Sequence, residues 1–145
     1  MTEIFYSRVL DVPAEKAWAM VRDFGALAKW FPFIPKSVLR DGAAATEVGA
    51  IRDNTTQEGA VISEKLIELS DRDRRLRYEA IAGDIPMTDY TSTLTIFEVS
   101  EGDRALAVWT ARYEPVGDPA PVAKWVHDGI FKTCLVEFER VLKAG

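Results

Sequence analysis

DPAPVAKWVHDGIFKTCLVEFERVL, residues 118–142, reads as one long helix, and the breadth of its apolar face sets a demand that the rest of the chain must meet. Asp118 can accept hydrogen bonds from free first-turn amides, and Pro119 has no N–H to leave unpaired, so the pair marks a helix start. At about 100° per residue, Val126, Ile130, Cys134, Phe138 and Val141 fall on one face with Phe131, Leu135 and Leu142 beside them, and Lys124, Asp128, Lys132 and Glu139 fall opposite. A face this wide needs a large apolar partner. His127, the only histidine, interrupts it, whereas Trp125 and Val136 lie on the polar side.

The partner is found upstream. Between Lys36 and Pro115 there is no helical periodicity, only strand-like segments: Ser37 to Arg40, Ala50 to Gln57, Val61 to Leu69, Arg74 to Ala82, Tyr90 to Val99 and Ala105 to Glu114. Asp41-Gly42, Glu58-Gly59, Asp71 to Asp73, Gly83-Asp84 and Glu101 to Asp103 join them. Joins this short predict antiparallel neighbours. The sign-alternating run from Asp71 to Arg75 reads as a solvated hairpin tip.

Ahead of these segments, Glu3 to Leu10 reads as a further strand, giving about seven in one sheet. Pro13 then opens a short helix with Ala17, Met20, Val21 and Phe24 at helical spacing, and Ala26 to Phe31 can add a turn or two more before Pro32. Two prolines in Trp30-Phe31-Pro32-Phe33-Ile34-Pro35 exclude helix and central strand, so this stiff apolar run should pack on the body as a lid or plug. The order predicts a single α+β domain over residues 1–145. A curved seven-stranded antiparallel sheet would grip the long C-terminal helix, with two short helices after the first strand. A curved sheet cannot touch a straight helix along its whole length, and the gap is a natural ligand cavity; the plain alternative is that side chains fill it.

The composition narrows the functional classes. A net charge of -5 with no basic stripe disfavours nucleic acid and anionic membrane surfaces as partners. No apolar run is long enough to span a bilayer and no signal-peptide core appears, so the expectation is a cytoplasmic protein without stable membrane insertion. One cysteine and one histidine offer neither an internal disulfide nor a zinc cluster, and no cofactor motif occurs.

Several stretches in order resemble the START-like, or helix-grip, superfamily (SRPBCC), in particular its polyketide cyclase/dehydrase and lipid-transport branch. They are Pro13 to Trp18 with Asp23-Phe24, Trp30-Phe31-Pro32, Val48 to Asp53, Glu64-Lys65-Leu66, Gly83-Asp84 with Tyr90-Thr91-Ser92, and Trp109 with Glu114-Pro115. The resemblance implies a cavity between the last helix and the concave sheet that takes hydrophobic or amphipathic small molecules. By position it points to Glu64, Tyr90 and Ser92 on the strands and to Val126, Ile130 and Cys134 on the helix as wall residues; with Phe31, His127 and Phe131 these are the candidate ligand-binding residues. The plant abscisic-acid receptors are similar through several of the same stretches. This chain departs from them at Gln57-Glu58-Gly59-Ala60, where those receptors carry a gate sequence, at Ile85-Pro86, where they carry a latch, and at Phe31 or Pro32, where they carry a ligand-pairing lysine. The departures argue against a hormone-receptor role and against an acidic ligand held by a salt bridge, unless Arg52 or Arg77 substitutes.

Strand alternation agrees in part, placing Tyr90, Ser92, Leu94 and Ile96 on one face and Ile62, Glu64 and Leu66 on one face of another strand. His127 and Glu64 are the candidate acid–base residues. Histidine is the residue type whose unperturbed pKa lies near neutrality, and a carboxylate such as Glu64 is costly to bury unpaired; their structural alternatives are a satisfied wall histidine and a salt bridge to Arg52 or Lys65. Tyr90 and Ser92 can hydrogen-bond a guest, and Cys134 suits a small buried apolar role better than a nucleophilic one. The leading expectation is a module that binds a lipid-, polyketide- or aromatic-like molecule, as a monomer or weak homodimer. The alternatives are a cyclase or dehydrase using His127 or Glu64, and a stress-related interaction protein meeting its partner through Trp30 to Ile34.

Overall fold

The structure is a computed structural model describing residues 1–145. Seven strands form one antiparallel sheet: β1 (Thr2–Leu10), β2 (Lys36–Leu39), β3 (Ile51–Thr55), β4 (Val61–Ser70), β5 (Arg75–Ala82), β6 (Met87–Val99) and β7 (Arg104–Pro115). Their spatial order is β1-β7-β6-β5-β4-β3-β2, so the first strand closes onto the last and the others follow as a meander. Short joins hold β3 to β7 in hairpins, as expected from the turn residues, whereas β2 and β3 are joined not by a tight Asp41-Gly42 turn but by residues 40–50, which begin with a 3-10 turn at Arg40–Gly42. Gly83 shows why one join needs glycine: its φ is +130°, and a Cβ there would lie 3.0 Å from the Ile62 backbone.

The β1–β2 connection carries α1 (Ala14–Val21) and a 3-10 helix (Phe24–Lys29). The second short helix therefore begins earlier than the apolar spacing suggests, because the Asp23 side chain accepts from the Gly25 amide at 3.2 Å and starts the tighter turn there. Ala14, Ala17, Trp18 and Val21 bury one side of α1, which packs on β6 and β7. Asp71 does more than cap a solvated hairpin: it accepts from Trp18 Nε1 at 2.8 Å and Arg22 Nε at 2.9 Å, fastening α1 to the β4–β5 turn.

The C-terminal helix runs unbroken as α2 (Pro119–Lys124), a π-helical stretch (Trp125–Lys132) and α3 (Thr133–Ala144). Asp118 caps it, accepting from the Ala120 amide at 3.2 Å. The chain thus has the helix-grip architecture. The buried side of the helix, Val126, Phe131, Cys134, Leu135, Phe138 and Leu142, faces the concave sheet. Phe131 stacks on Trp109 of β7 with ring centroids 4.3 Å apart and planes 14° apart. Trp30 adds edge contacts to Phe138 at 4.7 Å and Phe31 at 5.0 Å, so the proline-flanked run is a plug between sheet and helix. Inward alanines beside Trp109, at 105, 107 and 111, leave the depth that this cluster fills.

The π segment is where a regular 3.6-residue reading fails. Its i→i+5 bonding turns the chain less per residue, so side chains near Trp125 fall out of phase with α3. The Thr133 hydroxyl donates to the Asp128 carbonyl five residues earlier, at 3.0 Å, satisfying an acceptor within the widened turn. Two assignments change with the phase. Trp125 turns toward the sheet's open half, and His127 leaves the apolar face for the flank beside β1. Glu139, expected on the free face, instead accepts from Arg8 and from the Asp11 amide at 2.7 Å, pinning α3 to the end of β1. Gly129 makes room for the turned indole, since a Cβ there would lie 2.9 Å from Trp125 Cδ1.

Two outcomes follow from this packing. Phe131→Ala should lower unfolding free energy by about 3–5 kcal/mol in urea titration, because a fully buried stacked ring is lost. Gly129→Ala should forfeit the roughly 1 kcal/mol that alanine ordinarily brings to a helix interior and shift the Trp125 emission, read as the difference from a Trp125→Phe background.

Candidate functional site

The grip is filled on one side and open on the other, for a reason written in the inward residues. On β6 and β7 they include Leu94, Ile96, Trp109 and Tyr113, and Trp109 reaches the helix to stack on Phe131. On β3, β4 and β5 they include Asn54, Ile62, Glu64 and Ala80, which leave a cavity of about 420 Å³. The volume lies within the usual range for small-molecule sites. Leu27, Phe31 and Ile34 close one wall, Ile85 and Met87 another, and Trp125 and Ile130 descend from the helix. The β3–β4 turn contributes Thr56, Gln57 and Glu58 at the rim.

Tyr78 and Tyr90 stand at the boundary between open and filled halves, with ring centroids 6.4 Å apart. Tyr90 in turn stacks on Tyr113 at 6.1 Å. Burial pushes both the Tyr78 and Tyr90 phenols above the ordinary tyrosine range, and the nearby Glu64 charge adds to the rise at each. Both phenols therefore stay protonated and border the cavity as polar groups within an apolar wall.

Glu64, 13% exposed, is the charged group on the cavity's inner wall. Arg52 lies behind it, 5% exposed, and donates through Nε to Glu64 Oε1 at 2.8 Å. The guanidinium is held 4.0 Å from the Phe24 ring centre and 4.8 Å from that of Tyr78, and its NH1 donates to the Phe24 carbonyl. Asn54 Nδ2 also donates to Glu64 Oε1 at 2.8 Å, while its own Oδ1 accepts from Ser37. Strand pairing creates this group: Arg52 stands opposite Glu64 across β3 and β4, with Asn54 two residues along. The buried carboxylate is thus paired and hydrogen-bonded, the condition under which burial of a charge is tolerated.

Of the residues that the sequence singled out, Phe31, Glu64, Tyr90 and Ile130 come together around the cavity. The other five lie elsewhere. Ser92 is buried, accepting from Trp109 Nε1 at 2.8 Å and donating to the Thr110 carbonyl at 2.9 Å. Val126, Phe131 and Cys134 have no exposed surface, because the half of the grip they face is packed by Trp109 and its neighbours. Burial also raises the Cys134 thiol far above its ordinary range, which removes the thiolate a nucleophile requires. His127, with a 43% exposed side chain, shares a 2.7 Å hydrogen bond with Asp128 and meets Tyr6 edge-on at 5.2 Å. Tyr6 belongs to β1, separated in the sheet from Glu64 on β4 by three strands, so the two acid–base candidates do not converge.

Tyr78, Asn54 and Trp125 are among the cavity residues that sequence reasoning passed over. Alternation along β5 from Leu76 would have turned Tyr78 inward, and the pairing of Arg52 with Glu64 brings Asn54 along. Trp125 had no such signal, since the π-helical phase is not visible in residue spacing.

The comparisons with known proteins agree with this architecture. A model of the family described as polyketide cyclase / dehydrase and lipid transport matches residues 1–143. The structure of XoxI from Bacillus cereus superposes with a TM-score of 0.86 at 26% identity, covering 99% of this chain and 96% of that one. An uncharacterized protein from Bacillus thuringiensis gives 0.86 at 25% identity, covering 98% and 99%. Abscisic acid receptor PYL7 from Arabidopsis thaliana is 27% identical over 92 residues, which take in 61% of this chain and 42% of the receptor. The chain therefore matches less than half the receptor's length. Since the family match takes in the whole sheet, the cavity and nearly all of the closing helix, the chain belongs to the polyketide cyclase/dehydrase and lipid transport family.

Proposed function

We propose that the protein binds a small hydrophobic or amphipathic molecule, lipid-, polyketide- or aromatic-like, in the cavity between sheet and C-terminal helix, and holds it without covalent chemistry. The observation that carries this reading is the half-filled grip: a cavity of about 420 Å³ walled mainly by apolar side chains, with a single charged group on its inner wall. Burial of apolar surface supplies the affinity, at about 25 cal/mol per Å² removed from water before the costs of association. Tyr78, Tyr90 and Glu64 orient the guest.

The cyclase or dehydrase reading is less well supported, because proton transfer asks for a donor and an acceptor within reach of one reacting point. His127 stands at the flank by β1, away from the cavity that Glu64 borders, so the two expected acid–base residues share no reacting point. The interaction reading through Trp30 to Ile34 also loses ground, since Trp30 and Ile34 are buried. A cytoplasmic, monomeric or weakly dimeric carrier fits the acidic composition.

Native mass spectrometry of protein purified gently from its own host should reveal a co-purified small molecule; consistently empty protein that also takes up no apolar fluorophore would defeat the proposal. Ile130→Trp should block dye uptake while the far-ultraviolet circular dichroism and cooperative unfolding persist, because the larger ring enters open space. An unfolded Ile130→Trp chain would mean that the space cannot accept it. His127→Ala, by contrast, should leave dye affinity unchanged and alter stability by less than about 1 kcal/mol in thermal unfolding.

A further inference from the structure

Charge at the cavity is one-sided in a way that bears on which guest it takes. The ionisable side chains that border it and can carry charge near neutrality are both carboxylates, Glu64 on the inner wall and Glu58 at the rim; no lysine, arginine or histidine reaches the lining. Arg52 is the nearest cation, and it is occupied. Its Nε and NH2 both approach Glu64 Oε1 at 2.8 Å, its NH1 serves the Phe24 carbonyl, and two aromatic faces cover the guanidinium. Arg77, the other candidate cation, is exposed and bonds Thr93 on the sheet surface.

The hydrogen bonds on Glu64 are also asymmetric. Arg52 and Asn54 converge on Oε1, and Oε2 accepts none. Ser37 fixes the Asn54 amide by donating to its Oδ1 at 2.7 Å, so Nδ2 stays turned toward Oε1. A carboxylate with one saturated and one free oxygen at an apolar wall is an acceptor awaiting a donor. An incoming carboxylate would meet like charge with no free cation to offset its desolvation.

Building on the proposed binding role, we infer that the cavity selects uncharged hydrophobic molecules bearing a hydroxyl donor, which Glu64 Oε2 accepts, and rejects carboxylic acids of the same carbon skeleton. Matched probes separate the parts of this statement. Decanol and methyl decanoate below their solubility limits, and decanoate below its micellar concentration, all at neutral pH, are titrated against protein loaded with the neutral fluorophore N-phenylnaphthylamine. Decanol should displace the dye at about fivefold lower concentration than the ester, which lacks a donor, and at least about tenfold lower than the acid. In Glu64→Gln the advantage of alcohol over acid should shrink severalfold, because Arg52 is then left without its counter-charge.

Decanoate displacing the dye as well as decanol does would overturn the charge preference, and an ester equal to the alcohol would overturn the donor contact. An alcohol-to-acid ratio unchanged in folded Glu64→Gln would mean that the preference is mere hydrophobicity, which also defeats the inference. If Glu64→Gln does not fold, the three-probe order in the unaltered protein still decides. Failure of the dye to bind at all would instead remove the binding role itself, and the inference with it.

Discussion

The stack of Phe131 on Trp109 is the contact on which the rest of the molecule depends. It joins the last helix to the last strand, and Trp109 is in turn held by a hydrogen bond from its indole N–H to Ser92 on the neighbouring strand. With Trp30 wedged beside Phe138, the cluster fixes how close the helix can approach the sheet. That separation is then imposed along the whole grip. Where Trp109, Trp30, Phe131 and Phe138 meet they span it; where Asn54, Ile62, Glu64 and Ala80 face the helix they do not, and the remaining space becomes the cavity. Packing density in one half thus creates the opening in the other.

Within that opening the chain retains one carboxylate, at the cost of a supporting structure around it. Arg52 gives charge balance, Phe24 and Tyr78 cover the guanidinium, and Asn54 and Ser37 orient the remaining bonds. An ion pair this buried contributes little net stability compared with well-packed apolar residues. Its support places every hydrogen bond on one oxygen of Glu64, at a residue that borders the cavity. The PYL7 match lies in a protein described as an abscisic acid receptor, and here an apolar residue, Phe31, borders the cavity.

Much of the fold was legible because its signals are local and redundant. The strand segments follow alternation, each turn announces itself with Gly or Asp, and Asp118-Pro119 starts the helix where the structure does. For the site, Phe31, Glu64, Tyr90 and Ile130 were accessible from resemblance and alternation. Ser92 shows the limit of that reasoning: its face was correct, but whether a buried hydroxyl meets a ligand or a neighbouring indole depends on β7, far along the chain. Phe131 and Cys134 show another, since the same apolar helix face serves the packed and the open halves of the grip.

The linear sequence by itself determined the number and order of elements, the antiparallel hairpins and the amphipathic closing helix, because propensity, periodicity and turn chemistry act over a few residues. It also placed an arginine and a glutamate where paired strands can bring them together. Tertiary structure alone decided which part of the helix roofs a cavity. The widened turns from Trp125 to Lys132 put Trp125 at the cavity and His127 at the flank, a phase change that apolar periodicity does not reveal. That rotation moved the odd histidine to the flank by Tyr6 and left Glu64 as the charged group at the inner wall, since side-chain direction on a helix depends on every turn before it.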